Sequence, residues 1–351
     1  MIRKINLFAL FVIVLGVSVN AQTYVIQVRP PMSDTWGYAN LEGEIIIEPQ
    51  FKKCYEFSNE GVALVYFSIK NSYKIVTLNG EIIDLENPDI IVKDLLGYLP
   101  SGFNSGLVTV RIGKKWGYMN TQGKISIPLQ YDFASDFNNG SAVVRKGNQF
   151  FVIDVNGNES FVDVPDVKKV KDFAEGLAPY ETSKGFSGFI NSDGKVVIPA
   201  QFTGVGYFSS DMAWARKNKD LIGFINTNGE WVIQPQFLAA KNFDAESGLA
   251  RVKLNDEWWY TDKSGNLIRP ESADKTDDFK EGLAQASVNG KIGFLNNQMA
   301  WFIEPQFEAA RDFKNGFAAV KKDGAWGVIN QNGEWVIQPQ FDSVKDVALV
   351  E

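Results

Sequence analysis

A four-residue turn returns along the chain at nearly even intervals, and that regularity restricts the fold more than any other feature. Asn40-Leu41-Glu42-Gly43 recurs as Asn120…Gly123, Asn191…Gly194, Asn226…Gly229 and Asn330…Gly333, and with Asp first at Asp154…Gly157 and Asp262…Gly265. Asn or Asp at the first position bonds forward to the backbone, and Gly at the fourth tolerates positive φ. Apolar runs on both sides make each turn a hairpin. The hairpin glycines fall at 43, 80, 123, 157, 194, 229, 265 and 333, with Met299 holding the place between the last two. The spacing predicts about nine copies of a roughly 36-residue unit.

Two further elements complete the unit. After the turn comes an apolar strand with a proline near its end: Ile45…Pro49-Gln50-Phe51, then Ile125…Pro128-Leu129-Gln130-Tyr131, Val196…Pro199-Ala200-Gln201-Phe202, Trp231…Pro235-Gln236-Phe237, Trp301…Pro305-Gln306-Phe307 and Trp335…Pro339-Gln340-Phe341. Proline gives no N–H to a ladder, so the expectation is that it ends the pairing. The next unit opens with Phe-x-x-Gly and a strand carrying small Ala residues, as in Phe313…Gly316-Phe317-Ala318-Ala319-Val320. Each unit therefore reads as a three-stranded antiparallel meander plus a connector of about a dozen residues. Such a unit cannot bury its own apolar face, so neighbours must stack. The expected fold is an all-β curved or superhelical array of these units, with a propeller-like closed ring as the alternative. Val347-Ala348-Leu349-Val350 echoes Val62-Ala63-Leu64-Val65 and reads as a terminal cap.

Composition narrows function by exclusion. The chain has no histidine and one cysteine, Cys54. That removes Ser-His-Asp and Cys-His catalysis, His-ligated metals, intramolecular disulfides and thiolate zinc clusters. A formal charge of −7 argues against a nucleic-acid partner, which needs a basic patch. Residues 1–21 read as a signal peptide. Arg3 and Lys4 precede the apolar run Leu7 to Val17, and Val19-Asn20-Ala21 fits a cleavage site. No lipobox cysteine follows, and no later segment is long and apolar enough to span a bilayer as a helix. The expectation is a secreted or periplasmic protein whose repeats fill residues 22–351.

The sequence resembles the bacterial WG-repeat proteins, also called KWG repeats. Lys115-Trp116-Gly117-Tyr118, Trp36-Gly37-Tyr38 and Ala325-Trp326-Gly327-Val328 carry the likeness, with the Pro-x-Gln-Phe and Phe-x-x-Gly elements. The glycine is lost at Lys74-Ile75, Phe150-Phe151 and Trp258-Trp259, and the tryptophan is replaced before Gly188, Gly223 and Gly293. The resemblance implies a binding or interaction role and no shared catalytic residues.

The candidate chemistry follows from what departs from the repeat. The Trp-Gly pair reads as a packing device, Trp filling a seam and Gly admitting a neighbouring backbone. The recurrent Gln50, Gln130, Gln201, Gln236, Gln306 and Gln340 read as partners for backbone groups freed by the proline. Asn-x-Asn-Gly segments lack the carboxylates of a calcium loop, so they read as turns. No metal, cofactor or catalytic residue is assigned. Residues 87–105 and Asp244-Ala245-Glu246-Ser247 are irregular, yet neither forms a recognisable acid/base pair. Trp231, Trp258, Trp259, Trp301 and Trp335 concentrate aromatic surface in the C-terminal half and are the candidate ligand-facing residues. The leading expectation is a non-catalytic envelope scaffold that binds another protein. The alternatives are a glycan- or cell-wall-binding module using an aromatic strip, and a carboxylate-dependent hydrolase.

Overall fold

The computed structural model describes residues 22–67, 72–92, 102–217, 221–270 and 273–350. The leader assigned to residues 1–21 and part of the irregular 87–105 segment lie outside them. The described residues form nine four-stranded antiparallel sheets. Blade 9 shows the pattern, with strands Ala309–Ala310, Phe317–Lys322, Ala325–Asn330 and Trp335–Phe341 taken in chain order. Blades 2 to 8 repeat it, beginning with Lys53–Cys54, Ile91–Val92, Phe133–Ala134, Val167–Val170, Gly204–Val205, Ala239–Phe243 and Lys275–Lys280 respectively.

The units therefore have four strands, not three. The extra one hid inside the expected connector because in blades 2, 3, 4, 6 and 9 it is two residues long and shows no alternation. Blade 1 is assembled from both chain ends. Its first strand is Ser343–Val350, and Thr23–Arg29, Trp36–Ala39 and Ile45–Phe51 supply the rest. Thr23 pairs with Val350, Tyr24 with Leu349 and Val25 with Ala348. The C-terminal strand is thus a closing strand and not a cap, because an unpaired edge of blade 1 would otherwise face solvent.

The core confirms closure. Nine buried clusters each bridge two neighbouring blades. Val25, Tyr38 and Ala348 of blade 1 meet Val65 and Val76 of blade 2, and Ile26 and Val28 of blade 1 meet Ala319 and Ile337 of blade 9. All nine seams are filled in this way. The molecule is a nine-bladed β-propeller, the closed alternative to the open array.

One aromatic pair recurs in six seams. A residue of the third strand meets the Phe that opens the first turn of the next blade at a steep angle: Tyr38–Phe57, Tyr118–Phe137, Phe189–Phe208, Phe224–Phe243, Tyr260–Phe279 and Phe294–Phe313, at centroid distances of 4.7 to 5.0 Å. This is the favourable arrangement of two ring quadrupoles. Where the residue is Tyr, its hydroxyl donates to a backbone carbonyl next door, Tyr38 to Tyr55 O and Tyr118 to Ser135 O at 2.8 Å.

The Trp-Gly glycine has a single cause in all its occurrences. A Cβ built on Gly117 would lie 2.5 Å from the carbonyl oxygen of Ile127 and 2.8 Å from that of Pro128. At Gly37, Gly188, Gly223, Gly293 and Gly327 the equivalent isoleucine carbonyl is again the nearest atom. The fourth strand is bulged there. Trp326 pairs with Phe341 and Val328 with Ile337, so three residues, Gln338, Pro339 and Gln340, oppose one glycine. Pairing therefore resumes after the proline instead of ending at it, since the proline sits in a bulge where no N–H is needed. Blades 2, 4 and 7 lack the glycine and the bulge together. Their fourth strands are short, Ile82–Ile83, Glu159–Phe161 and Leu267–Ile268. The glycine position then holds Lys74, Phe151 or Trp259, and each meets a partner from the strand alongside. Lys74 forms an ion pair with Asp84, Phe151 a T-shaped contact with Phe161, and Trp259 lies under the Arg269 guanidinium.

Candidate interaction surfaces

Antiparallel order sends the turn between the first and second strands, and that between the third and fourth, to one end of the ring. The turn between the second and third strands, and the link to the next blade, go to the other end. The first end carries the Phe-x-x-Gly turns. A hollow of about 480 Å³ there is lined by Glu56 to Glu60, Phe103 to Ser105, Phe137 to Asn139 and Lys314. Blades 9, 2, 3 and 4 all reach it, which places these turns nearest the axis. Blade 1 has no such turn, because its first and second strands come from opposite chain ends. Lys314 of blade 9 spans the gap to Glu56 of blade 2 at 2.5 Å.

The same turns are laced together by a device missed in the sequence reading. The carboxylate of Glu175 accepts from Ser210 N and Asp211 N of the next blade at 2.6 and 3.0 Å. Glu281 accepts from Asn315 N and Gly316 N at 2.6 and 2.8 Å, and Asp244 from Gly282 N at 3.1 Å. The turn residues have positive φ, which points successive N–H groups at one anion. The signal was available as the acidic residue that precedes Gly176 and Gly282. Crowding has a cost where two more acids gather. Burial, then Glu281 and Asp244, push the Glu246 carboxyl above its usual range.

The five candidate tryptophans do not lie at one place. Trp231, Trp301 and Trp335 begin fourth strands and stand at the turn end just described. All three are half-buried. Trp231 packs edge-on against Phe202 of the preceding blade and Trp335 against Phe307, at 5.5 and 6.0 Å. Trp258 and Trp259 begin a third strand at the opposite end. Trp259 is half-buried, whereas Trp258 is 37% exposed, with the Arg251 guanidinium 4.6 Å from its ring centre. Trp258 lines a second hollow, of about 360 Å³, with Arg251, Glu257, Arg269, Pro270, Ala273, Asp274, Lys275 and Thr276.

The recurrent glutamines are exposed. The bonds they make include Gln130 Nε2 to Tyr131 Oη and Lys322 Nζ to Gln306 Oε1, with side chains and not with freed backbone groups. The turn Asp and Asn residues cap their own hairpins. Asp154 accepts from Asn156 N and Asn158 N at 2.9 Å, and its bonds to Asn158 hold its carboxyl below the usual range. Cys54 is buried, which pushes its thiol up to about 11. Among the described residues no cluster of three or more Cys, Asp or Glu is placed to hold a metal ion, and no helix is long and apolar enough to cross a membrane.

The family described as WG containing repeat matches residues 36–67, 116–150, 188–219, 222–258, 292–324 and 326–348. The chain belongs to this family. Every matched WG segment starts at the third strand of a bulged blade, so a sequence repeat runs from the outer half of one blade into the inner half of the next. The unmatched stretches contain the third and fourth strands of blade 2 and, from their third residue on, the third strands of blades 4 and 7 with the fourth strands that follow. No curated protein matches this WG-repeat chain in sequence. Among solved structures it is similar to a crystal structure of the eukaryotic initiation factor, with a TM-score of 0.61, 10% identity, and coverage of 93% of this chain and 98% of the other. AztD from Citrobacter koseri gives a TM-score of 0.41 at 9% identity, covering 94% and 99%. The first of these supports the propeller fold.

Proposed function

We propose that the protein is an exported, non-catalytic scaffold that binds another protein at the cell envelope through the outer rim of its blades. The observation that supports this most directly is exposed apolar surface on consecutive blades. Phe161 of blade 4, Phe186, Val196 and Val197 of blade 5, and Leu221 and Val232 of blade 6 are 38 to 50% exposed. Large apolar side chains left exposed mark an interaction surface more often than a catalytic one. The repeat residues themselves are occupied with seams, bulges and turns, which leaves the rim to vary. Export rests on the leader-like residues 1–21. Placing charge on that surface with Phe161→Glu and Val232→Glu, then capturing partners from the native envelope fraction, is the test. The expected outcome is loss of a partner that the unaltered chain retains. No partner above background with the unaltered chain would count against the scaffold.

A glycan-binding reading is favoured by one feature, the exposed Trp258 beside three cationic side chains. Titrating tryptophan fluorescence with envelope polysaccharides decides it, and an unchanged spectrum with all of them would remove it.

A further inference from the structure

Among the described residues, blade 7 has an unfilled strand edge beside the Trp258 hollow. In blade 4, which also lacks the bulge, the fourth strand continues past Phe161, and Val162 N donates to Phe150 O at 3.0 Å. Phe151 pairs with Phe161, and Tyr260 of blade 7 pairs with Ile268. That register makes Trp258 the counterpart of Phe150 and Pro270 the counterpart of Val162. Proline has no N–H, so the bond that closes the edge in blade 4 cannot form at Trp258. The fourth strand of blade 7 stops at Ile268, and Glu257 to Trp259 have no fourth-strand partner among the described residues. A strand edge in this state is a template for another strand.

The hollow over this edge fixes the chemistry of what would fill it. Trp258 offers an exposed apolar ring. Three cations, Arg251, Arg269 and Lys275, line the space against two anions, Glu257 and Asp274, in a chain of net charge −7. Arg269 is tied to Glu257 at 2.7 Å, and Arg251 to Asp277 and Asp278 at 3.0 and 2.7 Å. Lys275 has no ion pair among the described residues. From this juxtaposition we infer that the blade 7 edge binds an extended, acidic peptide segment of a partner protein, which adds as a short strand beside Glu257 to Trp259. Its backbone N–H satisfies the Trp258 carbonyl, an apolar side chain covers the Trp258 ring, and a carboxylate meets Lys275 and Arg269. The inference rests on the scaffold reading and names one of its docking sites.

The test uses the full chain and a fluorescein-labelled octapeptide of alternating valine and glutamate, followed by anisotropy. Binding is expected, with slowed amide exchange at 257–259. Pro270→Val, which restores the missing N–H, should weaken it about tenfold, and Arg269→Glu by a similar factor. Melting curves check that each variant is folded, and either one suffices. Equal binding by Pro270→Val and Arg269→Glu, or equal binding of a valine–lysine octapeptide, would overturn the assignment. So would a uronic-acid oligosaccharide that perturbs Trp258 fluorescence where the acidic peptide does not. An envelope partner captured equally well by Pro270→Val would remove this site while leaving the scaffold reading intact.

Discussion

Blades 9 and 7 answer the same geometric demand in opposite ways. In blade 9 the fourth strand swings inward as the bulge Gln338-Pro339-Gln340, and only Gly327 lets it pass. In blade 7 the strand is short and unbulged, and Trp259 packs against the blade 6–7 core and under Arg269. Glycine at this position is therefore not a turn residue like Gly43 or Gly333. It is one half of a pair whose other half, the bulge, lies in the next strand, and the two are present or absent together in all nine blades.

The largest effect should come from breaking the tight pairing. Gly327→Ala drives a methyl into the Ile337 carbonyl and should cost about 3 kcal/mol in urea unfolding. Alanine at Gly147, which has open space around it, should cost only about 1 kcal/mol, from its φ of +58°. Equal losses at the two positions would show that conformation, and not the bulge, selects glycine. Trp259→Gly sharpens the opposite side. It gives blade 7 the family residue without the bulge, removes the Arg269 stacking and should lose about 2 kcal/mol in the same experiment. A neutral result would mean that the two halves are independent.

Much of this was legible beforehand. The turns, the unit count and the role of Trp-Gly as packing followed from local chemistry that repeats. The inner strand did not, because Phe133–Ala134 or Ala309–Ala310 has too few residues to show a period. Closure did not, because Thr23 and Val350 pair across almost the whole chain and leave no local trace. Trp258 stood out as an irregular tryptophan. The importance of Pro270 did not, since it depends on a register that only the paired strands define.

Smaller effects test the hairpins and the turn ring. Met299 sits at φ +62°, where blades 9 and 7 have Gly333 and Gly265. Met299→Gly relieves about 1 kcal/mol of that strain but gives up the packing of Met299 against the Leu249, Tyr260 and Phe279 cluster, so the melting temperature should stay close to the parent's. Glu246 of blade 7 and Glu175 of blade 5 differ in what surrounds them. Glu175 is held by two amides, whereas Glu246 is crowded by Glu281 and Asp244. A raised folded pKa means the native state holds the proton more tightly, so that group's contribution falls as pH rises from its ordinary range through the raised value. Glu246→Gln should accordingly be more stable than the parent at neutral pH and equal to it in acid. A melting difference independent of pH would exclude that cause.

The shared blade also sets how the molecule bears a load. Thr23 and Val350 are paired neighbours at the same end of blade 1, so a pull on the two ends meets the ladder one rung at a time. The strands unzip and do not shear. A ring closed by nine packed seams would then yield to tension at a single edge, starting where Thr23 and Val350 meet.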